Sequence, residues 1–152
     1  MKVRLRPPAI IFENRQRGAT GKSAAFVVML PPDCPPKMLV HELHHVKQWW
    51  FIMGVAAVLL FTVAAVVPFV SYYAVFLSVG AMGAMYRFSA SFRFRAEAAA
   101  YAASFTGEPN ELDDYAAALS SPLYSTGRTI AEARDAIKVA CGTHLADNKP
   151  IS

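Results

Sequence analysis

Between Lys47 and Arg87 the chain runs for 39 residues without a charged side chain or a histidine. A helix on the surface of a soluble domain needs a polar stripe, and a segment apolar all round needs burial or lipid. The helical pattern that leads into this stretch starts near Asp33 and, from Lys37 to Val67, holds no helix breaker but Gly54, which membrane helices tolerate. A helix of that length reaches roughly 50 Å, more than the core of a small globular domain can cover. Composition agrees. Of 152 residues, 55% are hydrophobic and 17% charged, whereas soluble domains carry about 25% charged residues. The length suits a single domain, residues 1–152, and the apolar content excludes a disordered chain.

The net charge of +4 is unevenly spread. Residues 1–47 carry eight Lys/Arg against three Asp/Glu, and residues 87–152 carry seven against eight. Basic residues on either side of an uncharged gap read as membrane flanks, not as the continuous stripe of a nucleic-acid binder, so nucleic acid is not expected as a partner. Cys34 and Cys141 match no zinc or redox spacing and read as reduced thiols facing the cytosol. Met1–Pro8 is charged with no apolar run behind it, unlike a signal peptide. Gly18-Ala19-Thr20-Gly21-Lys22-Ser23 ends like a phosphate-binding loop, but two residues separate its glycines where four are needed, and Gln16 stands at the required glycine.

The pattern predicts an α+β, mainly α, fold. Ala9–Phe12 and Ala24–Leu30 are short runs rich in β-branched and aromatic residues, expected to pair as a β-hairpin across the polar stretch Glu13–Ser23. Asp33 is placed to cap a helix whose first turn takes Pro35-Pro36 and which runs to Val67. A second long helix is expected from Pro68–Ser71 to about Ser104, with Gly80 and Gly83 allowing close packing. Two short helices follow, Glu111–Leu119 capped by Asn110 and a last one opened by the Thr129–Glu132 capping box and stopped at Gly142. Residues 143–152 read as a loose tail.

The chemistry is concentrated in His41-Glu42-Leu43-His44-His45. His41 and His45 lie four apart, so a helix turns both imidazoles to one face, where they can share a zinc ion (Zn²⁺). Glu42 sits about 100° round the helix, at the edge of that face. There it can act as general base toward a zinc-activated water. His44, about 60° from His41, and Gln48, one turn beyond His45, are candidates for supporting contacts. The alternative for His44 and Gln48 is a polar rim at a membrane edge, which Trp49 and Trp50 would also mark. A catalytic zinc needs a third protein ligand and an open position. Glu97 is the leading candidate, as the one acid between Glu42 and Glu108 and set among alanines that let its helix come close. The competing role for Glu97 is an ion pair with Arg93 or Arg95. His144 lies in the apparent tail, and Asp113 and Asp114 suit a helix dipole better.

His41-Glu42-x-x-His45, followed 52 residues later by Glu97, resembles the gluzincin pattern of zinc metallopeptidases. The phrases His41–Trp49 and Phe94–Tyr101 are similar to those of small metallopeptidase-like membrane proteins of bacteria and their phages. The resemblance spans roughly residues 24–104. It implies His41, His45 and Glu97 as zinc ligands, Glu42 as catalytic acid/base, and a peptide or protein substrate. Many gluzincins carry an Asp after the ligand Glu; here Tyr101 stands one turn on. Tyr101 or Tyr124 is a candidate to stabilise an oxyanion, the alternative being simple packing.

The metal set constrains the apolar segment. A single crossing would leave His45 and Glu97 about 30 Å apart on opposite sides of a bilayer. If both bind one ion, the chain must return, and Pro68 provides the break. Residues 49–67 and 69–86 give arms of 19 and 18 residues, each just able to span. The domain would then carry a hydrophobic helical hairpin inserted at 49–86, with the lipid bilayer as a partner. Lys37 and Lys47 flank one end and Arg87, Arg93 and Arg95 the other, so both ends and the zinc site are expected on the cytoplasmic side. Two other readings stay open: a two-span structural or holin-like protein, and a metal-binding scaffold without activity.

Overall fold

The computed structural model describes residues 2–13, 21–67, 71–108 and 110–147. Four strands come first: β1 (Lys2–Arg6), β2 (Ala9–Glu13), β3 (Lys22–Ala24) and β4 (Val27–Leu30). Five α-helices follow: α1 (Pro36–Val66), α2 (Ser71–Phe88), α3 (Ala90–Ser104), α4 (Glu111–Ser120) and α5 (Ile130–Asp147), with a 3₁₀ turn at Pro122–Tyr124 before the last. The broad α+β, mainly helical, expectation holds.

The sheet differs from the expected hairpin. Its order is β1-β2-β4-β3, and Ala9–Phe12 pairs with the later run in parallel, Ile11 beside Val28. The reason is local. Ala25 adopts φ 54°, and a turn at Ala25-Phe26 splits the later apolar run into β3 and β4, an antiparallel pair. β4 therefore runs in the direction of β2. The period-two alternation survives: Ala9, Ile11, Val28 and Leu30 are buried on one face and pack with Val46 of α1.

Pro35 occupies the N-cap position of α1, and no side chain caps it, so Asp33 does not fill the role expected of it. Pro36 sits in the first turn, where its missing N–H is no loss. The second expected helix is two. Its chain breaks at Ser89, which leaves helical geometry at φ −115° and accepts a hydrogen bond from the Phe92 N–H, capping α3. Glu97 thus stands on a third helix. Pro68 lies outside the described residues. α1 packs on α2 and α3, and the Trp49 indole donates to the Val79 carbonyl at 3.1 Å.

A second core joins α3, α4 and α5 through Ala98, Ala102, Ala116, Leu119, Ala133 and Ile137. Asn110 holds the N-cap position of α4 through its backbone, at φ 67°, and not through its side chain. The Thr129–Glu132 capping box forms, with Glu132 accepting from the Thr129 N–H at 2.9 Å. Gly142 does not stop α5, which continues to Asp147, so residues 143–147 are helix and not tail. Asp113 pairs with Arg134 of α5 at 2.6 Å. Glu111 ties α4 to the start of α1 through Lys37 at 3.6 Å, and also accepts from Thr106 and Tyr115.

Among the described residues one helix, α1, is long and apolar enough to cross a membrane. Its C-terminal half is largely bare of protein, with Phe51, Val58 and Leu59 exposed, and so is much of α2, where Phe76 is 77% exposed.

Candidate metal centre

The helical period brings His41 and His45 together, their rings edge to face with centroids 4.9 Å apart and Nε2 atoms 3.3 Å apart. Glu97 arrives from α3. Its Oε2 lies 3.3 Å from His41 Nε2, and its Oε1 lies 3.3 Å from His45 Nε2. The three residues can each offer one donor atom to a metal ion, all within 4.8 Å of one another. Glu97 is buried, and the neighbours Ala96, Ala98 and Ala100 are small and buried too, which lets α3 approach α1. Glu97 Oε2 makes no hydrogen bond of acceptable geometry, although His41 is close. A buried carboxylate oxygen without a partner is costly unless a cation satisfies it. Burial alone would raise the Glu97 pKa, but the adjacent His41 and His45 imidazoles, together with the Tyr86 hydroxyl, outweigh it and hold the carboxyl at about 2.

Gln48 organises the pair. Its Oε1 lies 3.0 Å from His45 Nδ1, which puts the proton on Nδ1 and leaves the Nε2 lone pair pointing into the centre. Its amide nitrogen donates to the Ala96 carbonyl at 3.1 Å, bolting α1 to α3 beside Glu97. Tyr101 lays its ring against His41 at 4.6 Å between centroids and shares a 2.7 Å hydrogen bond with the Tyr124 hydroxyl. Burial raises the pKa of both phenols.

Glu42 is buried beside the cluster, and burial raises its pKa, opposed by a hydrogen bond from Ser23 and the nearby histidines. Gly21 makes room for it: a Cβ there would stand 2.9 Å from Glu42 Oε1 and 3.2 Å from Leu30 Cδ2. His41, Glu42, His45 and Glu97 open onto one cavity of about 830 Å³, walled also by β3, Tyr86 and Tyr124.

His44 points elsewhere, lining a separate cavity on another face of α1. The side chain of His144 lies outside the described residues, as do Gln16 and Gly18–Thr20. Arg93 makes no ion pair with Glu97; its guanidinium donates to the carbonyls of Tyr86, Tyr124 and Ser125. Arg95 is exposed.

Sequence reasoning missed Tyr86, whose hydroxyl donates to Glu97 Oε1. It is the last residue of the uncharged stretch, where a phenol reads as a membrane-edge anchor, and its bond exists only because the chain turns at Ser89. Gly21 and Ser23 were hidden in what looked like a plain loop.

Comparison of the chain with family models, curated proteins and solved structures gives no match.

Proposed function

We propose that this chain is a membrane-anchored zinc metallopeptidase, with His41, His45 and Glu97 holding the ion and Glu42 as general base. The observation that carries the reading is the convergence of one donor atom each from His41, His45 and Glu97 to within 4.8 Å, with the two imidazole Nε2 atoms 3.3 Å apart. A tetrahedral site with bonds of about 2.0–2.1 Å has edges of about 3.3–3.4 Å. Two imidazoles and one carboxylate, leaving a fourth position open, suit catalytic zinc better than an oxygen-seeking ion. The orphaned Glu97 Oε2 fits the same group. Bound there, zinc supplies a Lewis acid that acidifies a water and polarises a carbonyl.

The chain's own residues divide the remaining work. Glu42 takes the proton of the attacking water at its carboxylate and returns it to the departing amine. Its raised pKa brings that exchange nearer to neutral pH. The Tyr101–Tyr124 pair uses one hydroxyl proton internally, leaving the other for the carbonyl oxygen of the substrate. β3 is an edge strand, and its residues Lys22, Ser23 and Ala24 wall the same cavity as Glu42. An extended peptide can add to such an edge, which favours a peptide or protein substrate.

The apolar part of α1 from Trp49 onward and the body of α2 form the anchor on this reading, crossing as arms 49–67 and 69–86 with both ends and the metal centre cytoplasmic. The helix ends bear the positive charge expected there. The exposed Phe51, Val58, Leu59 and Phe76 support lipid contact.

The test is metal content and peptide hydrolysis by detergent-purified protein. About one zinc per chain, with hydrolysis lost in Glu42→Gln, is expected. Well-folded protein that takes up no zinc would overturn the reading in favour of a two-span structural or holin-like protein. Zinc without hydrolysis of any peptide would leave a metal-binding scaffold.

A further inference from the structure

α1 separates two cavities. The one away from the metal centre measures about 640 Å³ and lies between Val40, Leu43, His44 and Lys47 of α1, the β1–β2 turn, the end of α3 and Cys141 of α5. It brings together Arg6 and Lys47, and no acidic residue lines it. Neither cation has a carboxylate partner among the described residues. Apart from these two and His44 the walls are largely apolar, including Pro7, Leu43 and Phe105. A simple inorganic ion would gain nothing from those walls, whereas an amphiphile would use both parts.

The cavity also stands at the start of the apolar stretch. Lys47 is the last charge before it. One turn on, the Trp50 indole donates to the Pro8 carbonyl at 3.3 Å, so the rim of the cavity is tied to that boundary. The helix face that carries Val40, His44 and Lys47 continues, at steps of three and four, through Phe51, Gly54, Val55 and Val58. Phe51, Val55 and Val58 are exposed, and nothing approaches within 4 Å of a Cβ placed at Gly54. The basic residue Lys47 of the cavity therefore shares a helix face with an exposed apolar track.

We infer that this cavity binds the phosphate-bearing headgroup of an anionic phospholipid, with Arg6 and Lys47 on the phosphate and an acyl chain along Phe51, Val55 and Val58. The inference rests on the membrane reading for the source of the phosphate but not on the metal or on hydrolysis. The unassigned chemistry it names, an anion joined to an apolar chain, stands on the cavity itself.

Cys141 provides a reporter, because it lines the cavity while Cys34 packs near the sheet. In a Cys34→Ser background, the rate of Cys141 alkylation is measured with short-chain phosphatidylglycerol, with short-chain phosphatidylcholine and with inorganic phosphate, below micelle-forming concentrations. Phosphatidylglycerol is expected to slow alkylation severalfold, the other two much less. Neutralising a basic residue near anionic lipid weakens attraction about fivefold, so Arg6→Gln with Lys47→Gln should raise the protective concentration about thirtyfold. Zinc content and helical signal measured on that variant show whether it still folds; if it does not, the single variants are read instead. Equal protection by inorganic phosphate would replace the lipid with a free anion, and equal protection by phosphatidylcholine would remove the role of charge; either overturns the proposal. So would no protection at all. Flotation with neutral vesicles tests the membrane reading separately: protein that floats but shows no protection keeps its anchor and loses this site.

Discussion

The two halves of α1 share one backbone and live by different rules. From Pro36 to Gln48 the helix meets protein on several sides, and buried groups on it have named partners: His45 with Gln48, Glu42 with Ser23, Val46 with the sheet. From Trp49 to Val66 it is bare over most of its surface, and the residues that would form a core elsewhere face outward. The first half is apolar where it must pack and polar around the His41, His45 and Glu97 cluster. The second is apolar and only partly covered. A helix does not change propensity along its length, so the difference lies in what surrounds it: alanine-lined α3 and the sheet for one half, α2 alone for much of the other. A charged substitution should therefore mean opposite things at the two ends.

The largest effect is expected at Glu42. Glu42→Gln should keep the metal and lower the hydrolysis rate by about 10²–10⁴-fold, measured as turnover of a peptide by detergent-purified protein. Unchanged turnover would break the assignment of roles within the first half. Glu97→Ala should cost more than about a hundredfold in zinc affinity, since even supporting residues cost 10–100-fold, read by competition with a chelator. Neither change should alter partition into vesicles.

The other half reverses the pattern. Leu59→Arg should leave zinc content unchanged but impede membrane insertion by about 2.5–3.5 kcal/mol, measured with a glycosylation-tag insertion assay. In a soluble protein an arginine at such an exposed site would change stability by about 0.5 kcal/mol or less, so normal insertion and yield would count against the bilayer reading. Tyr86→Phe sharpens the comparison, because Tyr86 ends the apolar stretch and yet donates to Glu97. A loss of 10–100-fold in zinc affinity with unchanged insertion would place it with the first half.

The smallest effect concerns stability. Burial would raise the Glu111 carboxyl, but hydrogen bonds from the Thr106 backbone, Tyr115 and the Thr106 hydroxyl, with Lys37 nearby, hold it at about 2. A lowered folded-state pKa stabilises above the ordinary carboxylate value and loses that stabilisation as pH falls toward 2. Glu111→Gln should cost about 1–3 kcal/mol near neutral pH and flatten this acid dependence, measured by denaturant titration across pH.

These contrasts bear on what residues reveal before they are folded. His41 and His45 could be paired by counting, because four residues make about one helical turn. Glu97 stood out because a lone acid among alanines has few ways to be buried. The sheet was not legible in the same way, since its topology hangs on Ala25 at φ 54°, a conformation that residue type does not announce. Tyr86 was hidden behind a helix break at Ser89, where the expected helix carried no proline or glycine to mark it. The extension of α5 through Gly142 shows the converse: a glycine stops a helix only where the chain adopts the turn it permits.

α1 passes from the His41–His45 pair to its apolar half without a hinge. His45 and Trp49 are four residues apart, so their rise along the axis is about 6 Å. If Trp49 rests at the lipid surface, the reacting centre is held at a fixed height of less than one nanometre above it, and tilt of the helix is its main adjustment. Such an enzyme would work as a gauge: bonds of a tethered protein become cleavable by their distance from the membrane, and a segment several nanometres out would be spared whatever its sequence.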